Sequence, residues 1–74
     1  MERITVNSKI LGGKPVIKGT RISVEHILNL LASGLSVNEI LDDYKHISKE
    51  DIQACLDFAA HSIKNDIYYN FEMA

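Results

Sequence analysis

Residues 12–22 have the sequence Gly-Gly-Lys-Pro-Val-Ile-Lys-Gly-Thr-Arg-Ile, and this stretch decides the N-terminal part of the fold. Glycine tolerates a positive φ, whereas proline fixes φ and has no backbone N–H. Three glycines and the single proline surround the apolar pair Val16 and Ile17. The stretch therefore predicts a turn, a short strand, a second turn and a second short strand.

A partner strand is predicted just upstream of these turns. Ile4 and Val6 alternate with polar residues, which is the pattern of a half-buried strand. We expect them to pair either with residues 16–17 or with residues 21–22. Residues 1–22 are thus predicted to form a short β-hairpin.

A phosphate-binding loop is the functional alternative for a glycine-rich stretch that contains lysine. Such a loop needs two glycines five positions apart, followed by Lys-Ser or Lys-Thr at the start of a helix. Here Pro15 follows Lys14 and withholds a backbone N–H from any phosphate. The stretch does not predict a nucleotide site, and we expect no cofactor.

The rest of the chain predicts three short helices, near residues 24–33, 37–44 and 49–64. A serine that can cap the helix precedes each of them: Ser23, Ser36 and Ser48. Glu39 completes a capping box with Ser36, and Gly34 is placed to end the first helix. Apolar side chains recur every three or four residues, and we expect these to be among the most buried: Leu28, Leu31, Ile40, Leu41, Ile52, Leu56, Ala59 and Ile63.

The predicted organisation is a single domain over residues 1–74, mostly α-helical. It consists of the β-hairpin segment 1–22, a three-helix unit over residues 23–64 and a C-terminal tail over residues 65–74. Only short turns separate the helices, so they must cross and share one core. The spacing of helices two and three also resembles the helix-turn-helix of response-regulator DNA-binding domains.

A family resemblance covers nearly the whole chain. The glycine-proline segment is joined to a leucine-rich helix that ends in Gly34-Leu35-Ser36. Together these motifs, from about Ile4 to about His61, resemble the small bacterial and archaeal proteins catalogued as uncharacterised-domain family 433. The resemblance implies a homeodomain-like three-helix fold. It also implies a role as an antitoxin whose partner is a nuclease-like toxin of the PIN class.

The composition predicts the cellular compartment of the protein and indicates that a partner would stabilise its fold. A chain of 74 residues buries only about 60% of its unfolded surface, so binding or self-association would stabilise it. One cysteine suits a reducing cytoplasm. Neither a signal peptide nor an apolar run of the ~20 residues that a membrane span needs is evident. We expect a cytoplasmic protein that does not bind membranes.

Reactive side chains are few. The three histidines, His26, His46 and His61, sit in or beside three different helices, and Cys55 has no second ligand at zinc spacing. Cys55 lies near the apolar side of the third helix without a basic neighbour, which favours an inert thiol over a nucleophile. We therefore expect no catalytic residues and no metal site, and interpret the chain as a non-enzyme.

Charge is divided unevenly along the chain. Residues 1–24 carry five basic side chains and one acidic one, whereas residues 25–74 carry three basic and nine acidic ones. Such asymmetry indicates an electrostatic partner for one half. Lys14, Lys18 and Arg21 are the candidates, because an arginine makes a strong bidentate contact with a carboxylate of a partner protein. A local ion pair between Arg21 and Glu25 is the alternative.

If the protein binds DNA, the third helix is the predicted recognition helix, and Lys49 and Gln53 are its candidate contacts. Glu50 and Asp57 share its exposed positions, and two carboxylates oppose binding to phosphates. These carboxylates disfavour free DNA binding, and the family resemblance implies an antitoxin-like interaction module that neutralises a PIN-like toxin, which is the first hypothesis. The second hypothesis is a helix-turn-helix transcriptional regulator, which could regulate its own gene.

The tail supplies further candidates for partner binding. Tyr68, Tyr69 and Phe71 are three of the five aromatic residues of the chain. They either pack back on the three-helix core or order on a partner, where tyrosine is favoured. Phe58 is predicted to lie off the core stripe of the third helix, beside Ala54. With the tail it would form the interface of a symmetric homodimer.

Overall fold

The computed structural model describes residues 2–63. Two strands form an antiparallel hairpin and three helices follow: β1 (Ile4–Val6), β2 (Pro15–Ile17), α1 (Val24–Ala32), α2 (Val37–Asp43) and α3 (Lys49–Ser62). The predicted fold class is confirmed, and each helix begins at the predicted residue. α1 and α2 each end one residue earlier than predicted, and the predicted end of α3, at residue 64, lies outside the described residues.

The hairpin pairs in the first of the two registers that the sequence allowed. Ile4 lies opposite Ile17, and Val6 lies opposite Pro15. The chain then turns back along β2, and the Ile17 N–H donates a 2.9 Å hydrogen bond to the Ile22 carbonyl. Residues 21–22 therefore border β2 rather than β1. This places β2 between the first strand and the entry to α1.

The connection between the strands is a tight turn over Leu11–Gly13 with left-handed backbone. φ is +66° at Gly12 and +87° at Gly13, which explains the adjacent glycines. Leu11 also has a positive φ, of +50°, a conformation that is uncommon for a residue with a side chain. The glycine pair thus forms the turn, as the sequence predicted.

Serine caps start all three helices. The Ser23 hydroxyl accepts from the His26 N–H at 3.0 Å. Ser36 and Glu39 form a reciprocal capping box at the start of α2. A second box joins Ser48 and Asp51 at the start of α3. These side chains satisfy backbone donors that the first turn of a helix leaves unpaired.

One apolar core joins the hairpin to the helices. α1 packs against α3 and β2, and β1 packs against α3. Its buried members come from every element: Ile4, Val16, Ile17, Val24, Ile27, Ile40, Ile47, Ile52 and Cys55. Ile40 and Ile52 were predicted to be buried. Three other predicted members pack around this core and are half-buried: Leu28, Leu31 and Leu41. Ala59 is also half-buried.

The prediction of burial is wrong for two residues of the expected core. Leu56 is 40% exposed and Ile63 is 53% exposed. Along α3 the apolar spacing fits two stripes, one through Cys55 and one through Leu56, because both keep helical periodicity. The core takes the stripe through Cys55, which turns Leu56 and Ile63 toward solvent.

Candidate functional site

A groove of about 440 Å³ lies between α1 and α3. We call it the α1–α3 groove. The start of β2 closes one end, and the C-terminal half of α3 forms one wall. The residues that line it are Lys14, Pro15, Val24, Glu25, Leu28, Asn29, Phe58, Ala59, Ser62 and Ile63. A volume of this size is within the range of small-molecule and peptide-binding clefts.

Helical periodicity explains the two walls of the groove. On α1, Val24 and Leu28 are one turn apart and point to the same side. On α3, Phe58 and Ser62 are likewise one turn apart. Because Ser62 is small, it leaves the space open below the phenyl ring of Phe58. The result is a mostly apolar surface with few polar atoms.

Phe58 does not occupy the second apolar face that the sequence predicted. It is half-buried, packs against the core and faces the α1–α3 groove. Ala54, which was expected beside it, lines a different depression on α3. The two residues are one helical turn apart and both pack against the core, but they border different depressions.

An ion pair forms the rim of the groove. The Lys14 ammonium lies 3.0 Å from a carboxylate oxygen of Glu25, and both side chains are largely exposed. The alternative pair between Arg21 and Glu25 is wrong, since Glu25 pairs with Lys14. An exposed pair of this kind contributes roughly 0–1 kcal/mol to stability. The pair makes the rim of the groove polar, and its contribution to the stability of the fold is small.

The other basic residues lie at the opposite end of β2 from Lys14. The backbone N–H of Lys18 donates to the Arg3 carbonyl at 2.8 Å, so Arg3 and Lys18 face each other across the hairpin. Arg21 follows in the next turn and is exposed. Within residues 2–63, neither Lys18 nor Arg21 belongs to an ion pair. The Arg3 guanidinium itself pairs with Asp51 on α3. Lys18 and Arg21 are thus the basic residues of this turn without an ion pair in the described part of the chain, and Lys14 lies at the other end of β2.

The predicted DNA contacts, Lys49 and Gln53, are exposed on α3. Gln53 borders a shallow depression and donates a 3.3 Å hydrogen bond to Asp57. Glu2, Arg3 and Glu50 line the same depression. Three carboxylates and one guanidinium therefore share it with this candidate DNA contact.

Burial raises the pKa of the Cys55 thiol to about 11, and the nearby Asp51 charge acts in the same direction. The His26 ring forms a 2.8 Å hydrogen bond with the Tyr44 hydroxyl, which links α1 to the end of α2. The sequence did not predict this contact, because the two residues are distant along the chain. Over residues 2–63 no three His, Cys, Asp or Glu side chains cluster as metal ligands would.

Three of the predicted partner-binding residues, Tyr68, Tyr69 and Phe71, lie outside the described residues. In the part of the chain that the structure covers, none of the helices has the length and apolar character needed to cross a membrane.

Comparison with known proteins identifies the family. A family model described as "Protein of unknown function (DUF433)" matches residues 4–59. The chain belongs to the DUF433 family. The β-hairpin, all of α1 and α2, and most of α3 lie inside the matched range. The resemblance noted from the glycine-proline segment is therefore confirmed for family and fold.

Individual relatives agree with this assignment. A crystal structure of a DUF433 member from Anabaena variabilis superposes with a TM-score of 0.73 and 24% identity, over 90% of this chain and 62% of the other. The uncharacterized protein y4eO of Sinorhizobium fredii is 36% identical over 52 residues, which are 70% of this chain and 24% of y4eO. An uncharacterized protein of Archaeoglobus fulgidus is 68% identical over 25 residues, 34% of this chain and 69% of that protein.

The DUF433 chain thus spans about a quarter of the length of y4eO. The likeness to the Anabaena structure establishes a shared fold. The family description assigns no activity, so function has to be argued from the surfaces of the molecule.

Proposed function

We propose that this DUF433 chain is a non-catalytic interaction module, an antitoxin that binds and neutralises a PIN-like nuclease toxin. The observation that supports it most is the α1–α3 groove. An apolar groove of about 440 Å³ on so small a chain suits the reception of a protein segment. The antitoxin role itself comes from the family resemblance.

The charge distribution supports a protein partner of acidic character. Lys18 and Arg21 lie three positions apart at the end of β2 and the turn that follows it, and neither belongs to an ion pair within residues 2–63. A guanidinium contacts a carboxylate through two parallel hydrogen bonds. A PIN-like nuclease holds its metal ions with carboxylates, so Arg21 is suited to contact or block such a site.

The regulator hypothesis is supported by one observation, the exposure of Lys49 and Gln53 on the third helix of a helix-turn-helix arrangement. The carboxylates of Glu50 and Asp57 on the same surface oppose it, because they repel DNA phosphates. We therefore rank DNA binding below protein binding. An antitoxin that also binds its own operator would combine both.

We also propose that the molecule is a symmetric homodimer, since two-fold self-contacts are the commonest closed arrangement. The exposed apolar residues Leu56 and Ile63 on α3 favour such a contact. Sedimentation at tens of micromolar should show a species of twice the 8.3 kDa chain mass. A single species at the chain mass would contradict the dimer.

Co-expression with the product of the neighbouring gene, followed by pull-down, tests the antitoxin proposal. Retention of a nuclease-like protein and loss of its nuclease activity are expected. Two variants locate the contact: Arg21→Ala at the hairpin end and Asn29→Arg at the groove. Lys45→Ala and Asn38→Arg are matched controls at exposed positions of the α2 region.

The two test variants should weaken the complex by a factor of ten or more, and the controls should leave it unchanged. Failure of the wild-type chain to retain or inhibit the neighbouring protein would overturn the proposal. Equal effects of the controls and the test variants would exclude these surfaces as the contact.

A further inference from the structure

The two walls of the α1–α3 groove are helices. They are formed by Leu28 and Asn29 of α1 and by Phe58 and Ala59 of α3, all within the body of their helix. In the body of a helix, each backbone N–H and each carbonyl bonds within the same helix. The walls therefore contact an occupant through side chains rather than through backbone hydrogen bonds.

The hairpin closes one end of the groove without offering a free strand edge. Pro15, the first residue of β2, has no backbone N–H, and the Lys14 N–H donates to the Leu11 carbonyl at 3.4 Å. Along β2, one edge pairs with β1, and on the other edge Val16 bridges to Ser23. Of the described residues that line the groove, none therefore provides the row of backbone donors and acceptors that an extended peptide needs to add as a strand.

The charges of the groove are paired with each other. Lys14 and Glu25 are the charged side chains among the described residues that line it, and they lie 3.0 Å apart. The other lining residues are apolar or neutral, like Asn29 and Ser62. A charged side chain buried here would lose its hydration without gaining an unpaired partner of opposite sign. The face of an occupant that complements this groove is therefore apolar and uncharged.

We infer that the segment received by the α1–α3 groove is an amphipathic α-helix of the partner protein. A helix satisfies its own backbone hydrogen bonds, so it needs only the apolar contact that the groove supplies. From Val24 to Asn29 the α1 wall advances roughly 7.5 Å, which accommodates two anchor side chains one turn of about 5.4 Å apart. These anchors contact Leu28 and Phe58, and the charged side of the helix faces solvent. The identity of the partner rests on the proposed function, whereas the helical form of its segment rests on the groove.

Two peptide libraries displayed on phage test the helical form, with the immobilised full-length chain as bait. Both libraries have the same length and the same composition, rich in leucine, alanine, glutamine and lysine. In the first, leucines recur at i, i+3, i+4 and i+7, the pattern of an amphipathic helix. In the second, leucines alternate with other residues, the pattern of a strand. The helical library should be enriched over the alternating library by a factor of ten or more.

Substitutions in the bait and in the peptide locate the binding and check its form. Asn29→Arg places a long charged side chain at the groove, and Asn38→Arg is the matched control, because Asn38 is exposed on α2 and does not line the groove. Selected peptides should bind Asn38→Arg as tightly as the wild-type chain and Asn29→Arg more weakly by a factor of ten or more. Proline in the middle of a selected peptide should abolish binding, since it breaks a helix, whereas proline at its first position should leave binding unchanged.

Equal enrichment of both libraries, enrichment of the alternating one or enrichment of neither would overturn the inference. Equal binding of the selected peptides to Asn29→Arg and to the wild-type chain would also overturn it, because the peptides would then dock elsewhere. These results are distinguishable from those of the co-expression test. If helical peptides bind at the groove but the neighbouring gene product is neither retained nor inhibited, the antitoxin proposal fails and the inference stands. Retention and inhibition of that protein without selection of helical peptides would give the reverse.

Discussion

The Arg3 guanidinium lies 3.1 Å from the Asp51 carboxylate, and joins the first strand of the fold to its last helix. The same carboxylate accepts a 2.9 Å hydrogen bond from the Ser48 N–H in the capping box of α3. Partial burial acts to raise the pKa of Asp51, but the hydrogen bonds from Ser48 and the charge of Arg3 outweigh it. The pKa of Asp51 therefore lies below its usual value.

Stability should fall in acid because of this carboxylate. The pKa of Asp51 is lower in the folded than in the unfolded chain, so its stabilisation is present above the unfolded pKa of about 4 and lost below it. Urea unfolding at pH 7 and pH 3 measures the difference. Asp51→Ala should cost about 0.5–2 kcal/mol at pH 7 and less at pH 3. An equal cost at both pH values would contradict the assignment.

Two substitutions on α3 test which of its two apolar stripes packs into the core. Ile52→Ala should cost about 2–5 kcal/mol, because the side chain is 1% exposed. Leu56→Ala should cost at most about 1 kcal/mol, since Leu56 is 40% exposed. Thermal or urea unfolding of the two variants gives the comparison. A larger cost for Leu56 than for Ile52 would show that α3 is rotated relative to the fold described above.

Gly34→Ala isolates a purely conformational cost. Gly34 has a φ of +103° at the end of α1, and an added Cβ meets no atom within 4 Å. No steric clash with a neighbour therefore contributes. We expect a loss of about 1–2 kcal/mol in the free energy of unfolding from the left-handed backbone alone. Ser33→Ala, one residue earlier, has ordinary helical φ and should cost less.

The Cys55 thiol should act as a reporter of unfolding. Burial raises its pKa to about 11, so little thiolate is present at pH 8, and the sulfur is enclosed. A thiol reagent such as Ellman's reagent should react slowly with the folded chain. The rate should rise in urea in parallel with the unfolded fraction. Fast reaction without denaturant would contradict the burial of this side chain.

Duplex DNA provides the sharpest test between the two function classes. If Lys49 contacts a phosphate, affinity should fall with salt by about 0.9 log unit per log unit of salt, and Lys49→Ala should remove that dependence. We expect weak binding that Lys49→Ala and Gln53→Ala leave nearly unchanged. Sequence-specific binding that either substitution abolishes would favour the transcriptional regulator.

Local features of the fold could be predicted because they depend on residues close in sequence. Ser36 and Glu39 are three positions apart, and the capping box needs only that spacing. The glycine-proline segment likewise specified its own turns. The choice between Cys55 and Leu56 could not be made, because both satisfy helical periodicity and only packing against β1 and α1 selects one of them.

The candidate site could not be predicted, because it depends on contacts between residues that are distant in the sequence. The α1–α3 groove requires α1 and α3 to cross where Ser62 is small. Its rim requires the Lys14 side chain to reach Glu25, eleven positions away. The sequence identified Lys14 and Phe58 as candidates but could not bring them to the same groove.

The contact of β1 with α3 has a kinetic consequence. Arg3 and Asp51 are 48 positions apart, so β1 can pair with β2 locally but can pack on α3 only after that last helix has formed. Contacts that are distant in sequence are entropically costly to close and slow the folding of small proteins. We expect α1 and α2 to form early and β1 to dock late. In the folded molecule, release of β1 is then the first step of opening, and it would uncover the acidic surface of α3 before the helices separate.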